Sequence, residues 1–161
     1  MKNQMKIALR HALVDDCKDI FDWRMDSVTV SNSITGSFDY DTHKAWFAKK
    51  INDENTNIFI IINEFSEKIG MVRFDKHGKD AFVSINLNPK FRGKRLSKKS
   101  LHISIEYYLK NFNVESIVAE IKEGNEISLK IFQKVGFVYE SSDKNIIKFR
   151  LRRGEFKSNL E

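Results

Sequence analysis

Between Asn57 and Asn88 the chain presents three β-rich segments in close succession, and this feature limits the possible folds more than any other. Asn57–Asn63 is a β-branched apolar run, Lys68–Asp75 follows it, and Asp80–Asn88 alternates cleanly. In the last segment Val83, Ile85 and Leu87 fall on one side, and Ser84, Asn86 and Asn88 on the other. The connections, Glu64–Glu67 and Lys76-His77-Gly78-Lys79, are too short for a parallel crossover and suit hairpins. Pro89 has no N–H to give a ladder, so it ends the third strand.

Around this meander the periodicity alternates between helix and strand. Met5–Arg10 reads as a first strand. A helix capped by Asp15 or Asp16 then carries Cys17, Ile20, Phe21 and Arg24. Ser27–Ser37 fits neither pattern. Asp41 or Thr42 is expected to cap a helix with His43, Trp46, Phe47 and Lys50 on one face. Beyond Pro89 the pattern gives a helix over Ser97–Asn111, a strand over Glu115–Lys122, and a short helix from Asn125 that Gly136 ends. Closing strands follow at Phe137–Glu140 and Asn145–Arg152. The strand–helix–strand unit after Pro89 implies parallel neighbours, so the expected fold class is α/β (α+β). It has a central mixed, mostly antiparallel twisted sheet of about seven strands with helices on both faces. There is no repeat or linker, so residues 1–153 are expected to form one domain and 154–161 a frayed polar tail.

No apolar run is long enough for a membrane span, and the N-terminus lacks the apolar stretch of a secretory signal. With one cysteine, Cys17, an internal disulfide is excluded, and a cytoplasmic setting is expected. The net charge of +6 is unevenly distributed. Lys90, Arg92, Lys94, Arg95, Lys98 and Lys99 crowd one short segment, which by itself suits either a solvated face or an anion site. Arg150, Arg152 and Arg153 close the last strand.

Context favours the anion site. The basic segment joins the end of a strand to the start of a helix, where the first amides lack internal partners and the helix dipole adds positive potential. A phosphate-bearing ligand fits this corner. The segment lacks the Gly-x-x-x-x-Gly-Lys-Ser/Thr pattern of a nucleoside-triphosphate loop and the Gly-x-Gly-x-x-Gly of a dinucleotide fold. Alternating aromatic and basic residues for stacking nucleic-acid bases are also missing, so neither nucleic acid nor membrane is an expected partner.

The segment Pro89-Lys90-Phe91-Arg92-Gly93-Lys94-Arg95-Leu96-Ser97 resembles the acetyl-CoA pyrophosphate loop of GNAT N-acetyltransferases, Arg/Gln-x-x-Gly-x-Gly/Ala. Downstream, Asn125, Ser128, Phe132, Gly136 and Phe137 fall on positions similar to that family's second signature. The resemblance implies a GNAT fold and acetyl-CoA as cosubstrate with no metal. It also implies transfer of acetyl to a primary amine by direct attack in a ternary complex. It assigns backbone bonds from Ile85 and Leu87 to the pantetheine arm and an oxyanion contact to Leu87. The amides from Arg92 through Gly93, Lys94, Arg95 and Leu96 to Ser97 would cradle the pyrophosphate. Asn125, Ser128 and Phe132 would lie beside the arm and the thioester. Arg95 stands where the family has Gly, and a residue with a Cβ suits that position only if φ stays negative. Phe132 replaces the tyrosine that often protonates the leaving thiolate; either Tyr139 serves in its place or the thiolate leaves unaided. The base is not evident from the sequence: Asp75, His77, Asp80 and His102 are the titratable groups nearest the loop and hairpin.

For the acceptor, Trp23-Arg24-Met25-Asp26 and Asp41-Thr42-His43-Lys44-Ala45-Trp46-Phe47 resemble segments of GNAT members that acetylate amino-sugar nucleotides in nonulosonic acid synthesis. Some of these features are shared with ribosomal-protein N-terminal acetyltransferases. Trp23, Arg24, His43, Trp46, Ser84 and Asn86 are the candidate acceptor-binding residues, although Trp23, Trp46 and Phe47 at helical spacing equally suit a core. An amino-sugar nucleotide is the preferred acceptor. A protein N-terminus or lysine, or a non-catalytic acyl-CoA-binding module, are the alternatives, and the expected assembly is a monomer or homodimer.

Overall fold

A computed structural model describes residues 4–158. Seven strands form one sheet: β1 (Ile7–His11), β2 (Thr56–Asn63), β3 (Lys68–His77), β4 (Asp80–Leu87), β5 (Ser116–Lys122), β6 (Val138–Asp143) and β7 (Ile146–Arg152), in the order β1-β2-β3-β4-β5-β7-β6. Every pairing is antiparallel except β4–β5, in accord with the expected mixed sheet. Five helices accompany it: α1 (Cys17–Arg24), α2 (Ser27–Asn32), α3 (Tyr40–Ile51), α4 (Ser97–Asn111) and α5 (Glu126–Val135).

The β-branched alternation of the central strands gives the sheet two apolar faces. Phe59, Ile61, Val72 and Phe74 join Leu101, Ile105 and Tyr108 of α4 on one side. Ile58, Ile60 and Met71 meet Ile20 and Trp23 of α1 and Phe47 of α3 on the other.

The caps differ from those read in the sequence. Asp16 does not cap α1; its buried carboxylate accepts from Arg10, at 2.8 and 2.9 Å, and from the Leu13 amide, and pairs with Lys68. Helix α3 starts at Tyr40, ahead of the expected caps, because Asp39, not Asp41 or Thr42, accepts from the Thr42 amide. The unassigned Ser27–Ser37 stretch contains α2, nucleated by Asp26, which accepts from the Val28 and Thr29 amides. The β3–β4 hairpin is tighter than expected, since both strands extend to a turn at Gly78 and Lys79. In the expected tail, Phe156 lies against His102, with ring centroids 4.9 Å apart; residues 159–161 fall outside the described residues.

The feature that positions the site is a split between β4 and β5. These strands pair only from Asp80↔Ser116 to Phe82↔Val118 and then diverge. Their paired end is tied by Arg150, which bonds Asp80, Ser116 and Glu140. Arg153 donates to the carbonyls of Leu109, Phe112 and Val114. Both arginines therefore serve the fold.

Candidate active site

The split opens into a cleft of about 660 Å³ between β4, β5, α5 and the α2 segment. Backbone alternation determines what β4 offers it. Asn88 N–H donates to Ile69 on β3, whereas Lys79 C=O accepts from Glu115 on the β5 side. Polar groups of successive residues point to opposite edges of a strand, so those of Val83, Ile85 and Leu87 point toward β5. Past Phe82 that edge has no strand beside it. Ile85 and Leu87 both line the cleft.

At the far end of β4, Asn88 anchors the strand through its amide group, which donates to Lys68 C=O and accepts from Lys90 N–H. A short 3₁₀ turn, Pro89–Phe91, leads to the basic loop and α4. The Arg92 amide is consumed by Pro89 C=O, which removes it from the expected cradle. Among the described residues none accepts from the amides of Gly93 to Ser97, and no side chain caps α4. Gly93 and Ser97 line the cleft, while Leu96 is buried in the core and Lys94 lies over the Phe91 ring. Arg95 does not keep the negative φ expected of it: φ is +58°, so it takes up the left-handed conformation of the glycine it replaces.

The second signature is equally local in origin. Asn125 caps α5 by accepting from the Ser128 amide, and it donates to Asn32 C=O. Gly136, at φ +118°, ends the helix. Phe132 packs edge-on against Phe137 with one side toward the cleft, and Asn125 and Ser128 join it in the lining.

The α2 segment roofs the cleft. Arg92 reaches back to the Asp26 carboxylate and the Thr29 hydroxyl, and Lys122 donates to Ser31 C=O.

The acceptor candidates divide. Arg24, Ser84 and Asn86 line the cleft. Trp23 is buried in the core, and Trp46 sits half-buried behind Arg24. His43 is 1% exposed and does not itself line the cleft. Its Nε2–H donates to Cys17 C=O at 3.0 Å, so Nδ1 is the unprotonated nitrogen facing Arg24 Nη1 at 3.4 Å. Burial, with Arg24 nearby, lowers its pKa and favours this neutral form. Tyr139, the substitute acid, is exposed on the edge strand β6 and lies outside the cleft. Among the other titratable groups, His102 is buried, bonded to Lys157 C=O and likewise outside.

Two carboxylates line the cleft, Asp75 and Glu120. Burial alone pushes the Asp75 carboxyl up, but Arg73, Thr56 and Lys50 outweigh it and hold it below the usual range. Glu120 is exposed on β5. Nothing in the sequence marks Glu120, because Glu115–Lys122 has the pattern of an ordinary strand and only the split beside it opens a cleft there. Among the described residues no cluster of His, Cys, Asp and Glu side chains is placed to hold a metal, and no helix is long and apolar enough to cross a membrane.

A family model described as an acetyltransferase (GNAT) domain matches residues 6–138. An N-acetyltransferase 9-like protein of Nematostella vectensis is 30% identical over 125 residues, 68% of this chain and 61% of that protein. The chain thus spans under two thirds of that relative. The uncharacterized N-acetyltransferase YnaD of Bacillus subtilis is 22% identical over 144 residues, 88% of this chain and 85% of the relative. Among solved structures, the spermidine N-acetyltransferase of Vibrio cholerae in complex with CoA and spermine superposes with a TM-score of 0.81 at 16% identity. That match covers 92% of this chain and 96% of the other, and a likeness at this identity supports the fold alone.

Proposed function

The chain belongs to the GNAT acetyltransferase family, and we propose that it is an enzyme that transfers acetyl from acetyl-CoA to the primary amine of a small molecule. The observation that carries this reading is a β4 edge leading directly to the amides of Gly93–Ser97, both without partners among the described residues. The first suits the amide-bearing pantetheine arm and the second a diphosphate. A flat or closed β4–β5 pairing would accommodate neither.

Acetyl-CoA supplies an activated thioester, whose acetyl carbon gains a C–N bond to the amine as its C–S bond breaks. The amides of Gly93 to Ser97 hold the diphosphate, and the polar groups of Ile85 and Leu87 bond the arm. The Leu87 N–H is the group on this edge assigned to the developing oxyanion. Holding amine and thioester in one cleft accounts for a large part of the rate. Glu120 takes the amine proton, directly or through water, because the other lining carboxylate, Asp75, is committed to Arg73 and Lys50. Phe132 gives the cleft an apolar wall beside the thioester. A thiol with an ordinary pKa near 8.5 leaves without a positioned acid, so Tyr139 is not required.

The preferred acceptor is an amino-sugar nucleotide. Ser84 and Asn86 present polar side chains on the α1–α3 face of β4, and Arg24 stands beside them. The polyamine bound by the Vibrio neighbour is a weaker fit, since cations rather than carboxylates dominate this end of the cleft.

Calorimetry with CoA, followed by thiol release from acetyl-CoA in the presence of UDP- and dTDP-amino sugars or of peptides, tests the reading. CoA binding with release on the sugars supports it. Release with peptides alone moves the acceptor to a protein, and binding without release by any amine reduces the chain to a binding module. Absence of CoA binding sinks the assignment.

A further inference from the structure

Arg24 is held where a cation normally has an acid beside it, and among the described residues it has none. It ends α1 with its guanidinium between two aromatic rings, 4.4 Å from the Phe38 centroid and 4.5 Å from that of Trp46. Behind it, neutral His43 offers an acceptor at Nδ1 and fixes the head-group's direction. Among the described residues no carboxylate pairs with it. A second cation, Arg73, shares the Trp46 ring, with its guanidinium 5.0 Å from the centroid, and its charge is felt at Arg24. Arg73 is matched by Asp75 at 2.7 Å, and Asp75 is also shared with Lys50 at 3.2 Å, so Asp75 is already committed and does not serve Arg24. Burial, with Arg73 adding to it, lowers the Arg24 pKa to about 10, which records the cost of keeping this charge here without an anion.

The position is specific to one end of the cleft. Arg73 lies opposite Ser84 in the β3–β4 ladder, midway along β4 and close to where the strands part. The Gly93–Ser97 amides follow the other end of β4. Arg24 therefore faces the part of the cleft left for the acceptor and not the diphosphate corner. Asp26, two residues on, is already engaged by Arg92 and does not turn back to neutralise Arg24.

We infer that Arg24 is the anchor for an anionic group, a phosphate or a carboxylate, carried by the acceptor amine, so that the cleft selects aminated anions and turns away polycations. The rings preorganise the planar fork, and a fixed guanidinium donates two parallel bonds to either oxyanion. A diamine would instead bring a second positive charge beside Arg24 and Arg73, where among the described lining residues Glu120 is the one carboxylate outside an ion pair. This inference rests on the proposed acetyl transfer and narrows its substrate class.

The test uses matched amines with the full chain and saturating acetyl-CoA, read as thiol release. The pairs are 2-aminoethyl phosphate against ethanolamine, and 3-aminopropanoate against propylamine, with 1,4-diaminobutane as the dication. The expected result is a kcat/KM about tenfold or more higher for the anion-bearing member of at least one pair, the size that charge-assisted bonds give. The pair showing it distinguishes phosphate from carboxylate. Arg24→Gln should abolish that discrimination and Arg24→Lys should retain part of it; CoA calorimetry on each variant reports whether it has folded, and if neither folds the wild-type pairs decide. Equal or better turnover of the neutral amines or the diamine overturns the inference. So does CoA binding with no release from either anionic amine, or discrimination surviving in folded Arg24→Gln. Failure of the wild type to bind CoA would instead remove the underlying activity.

Discussion

Gly70 of β3 faces Leu87 of β4 so closely that a methyl group on Gly70 would lie 2.6 Å from the Asn86 carbonyl oxygen and 2.9 Å from the Leu87 Cα. The Leu87 Cδ2, at 3.1 Å, could swing away, but the two nearer atoms are backbone and the backbone would have to move. Gly70→Ala should therefore displace the end of β4 and destabilise the protein by about 1–3 kcal/mol, the usual cost of overpacking. Because the same strand end offers the Ile85 and Leu87 edge, CoA affinity should fall with it. Urea denaturation and calorimetry measure the two effects. A destabilised variant with undiminished CoA affinity would separate this strand end from cofactor binding.

Arg95 presents the opposite case, a side chain where glycine belongs. Its φ of +58° costs a residue with a Cβ roughly 1 kcal/mol. Arg95→Gly should raise the denaturation midpoint by the equivalent of about 0.5–1 kcal/mol, less than the full strain because glycine loses more chain entropy on folding. A lower midpoint would show that the arginine side chain contributes more than its backbone conformation costs.

Much of this architecture can be read in the sequence because it depends on short-range rules. Pro89 had to stop β4, Asn125 had to cap α5, and the Val83-Ile85-Leu87 alternation set which groups face each edge. Three kinds of fact were not legible. Caps compete, and nothing local favours Asp39 over Asp41 or predicts that Asp16 would leave its helix for Arg10 and Lys68. Helix α2 is six residues long, too short for a periodicity to emerge from Ser-Val-Thr-Val-Ser-Asn. The roles of Arg24, His43 and Glu120 depend on which elements meet across the cleft. His43 and Trp46 share a helix face with Phe47, yet they support Arg24 from behind and do not line the site themselves.

Asp16 makes stability depend on acid. Burial pushes its carboxyl up, but the bonds from Arg10, Lys68 and the Leu13 amide outweigh burial and hold it well below the usual range. A carboxyl depressed in the folded state stabilises fully above the unfolded value, about 3.9, and loses that contribution as pH falls further through the folded one. Stability should thus drop steeply below about pH 4. Asp16→Asn should cost about 2–3 kcal/mol at neutral pH, discounted because Arg10 and Lys68 remain about a third exposed. The variant should also flatten the acid limb, measured by urea midpoints from pH 3 to 7. An unchanged limb would assign acid sensitivity to other carboxylates.

Glu120 and Asp75 share the cleft but differ in what surrounds them, and this contrast predicts different failures. Asp75 is bonded by Thr56, Arg73 and Lys50, so Asp75→Asn should loosen that cluster and lower stability. Glu120 faces the cleft from the parted stretch of β5 without an ion pair among the described residues. Glu120→Gln keeps the shape and removes the proton acceptor. It should lower kcat on the order of 10²-fold with the denaturation midpoint and CoA affinity held. The same variant should regain rate as pH rises, because an amine that loses its proton to solvent before binding no longer needs a carboxylate. A Glu120→Gln enzyme with full kcat near neutral pH would leave proton removal to water along the cleft.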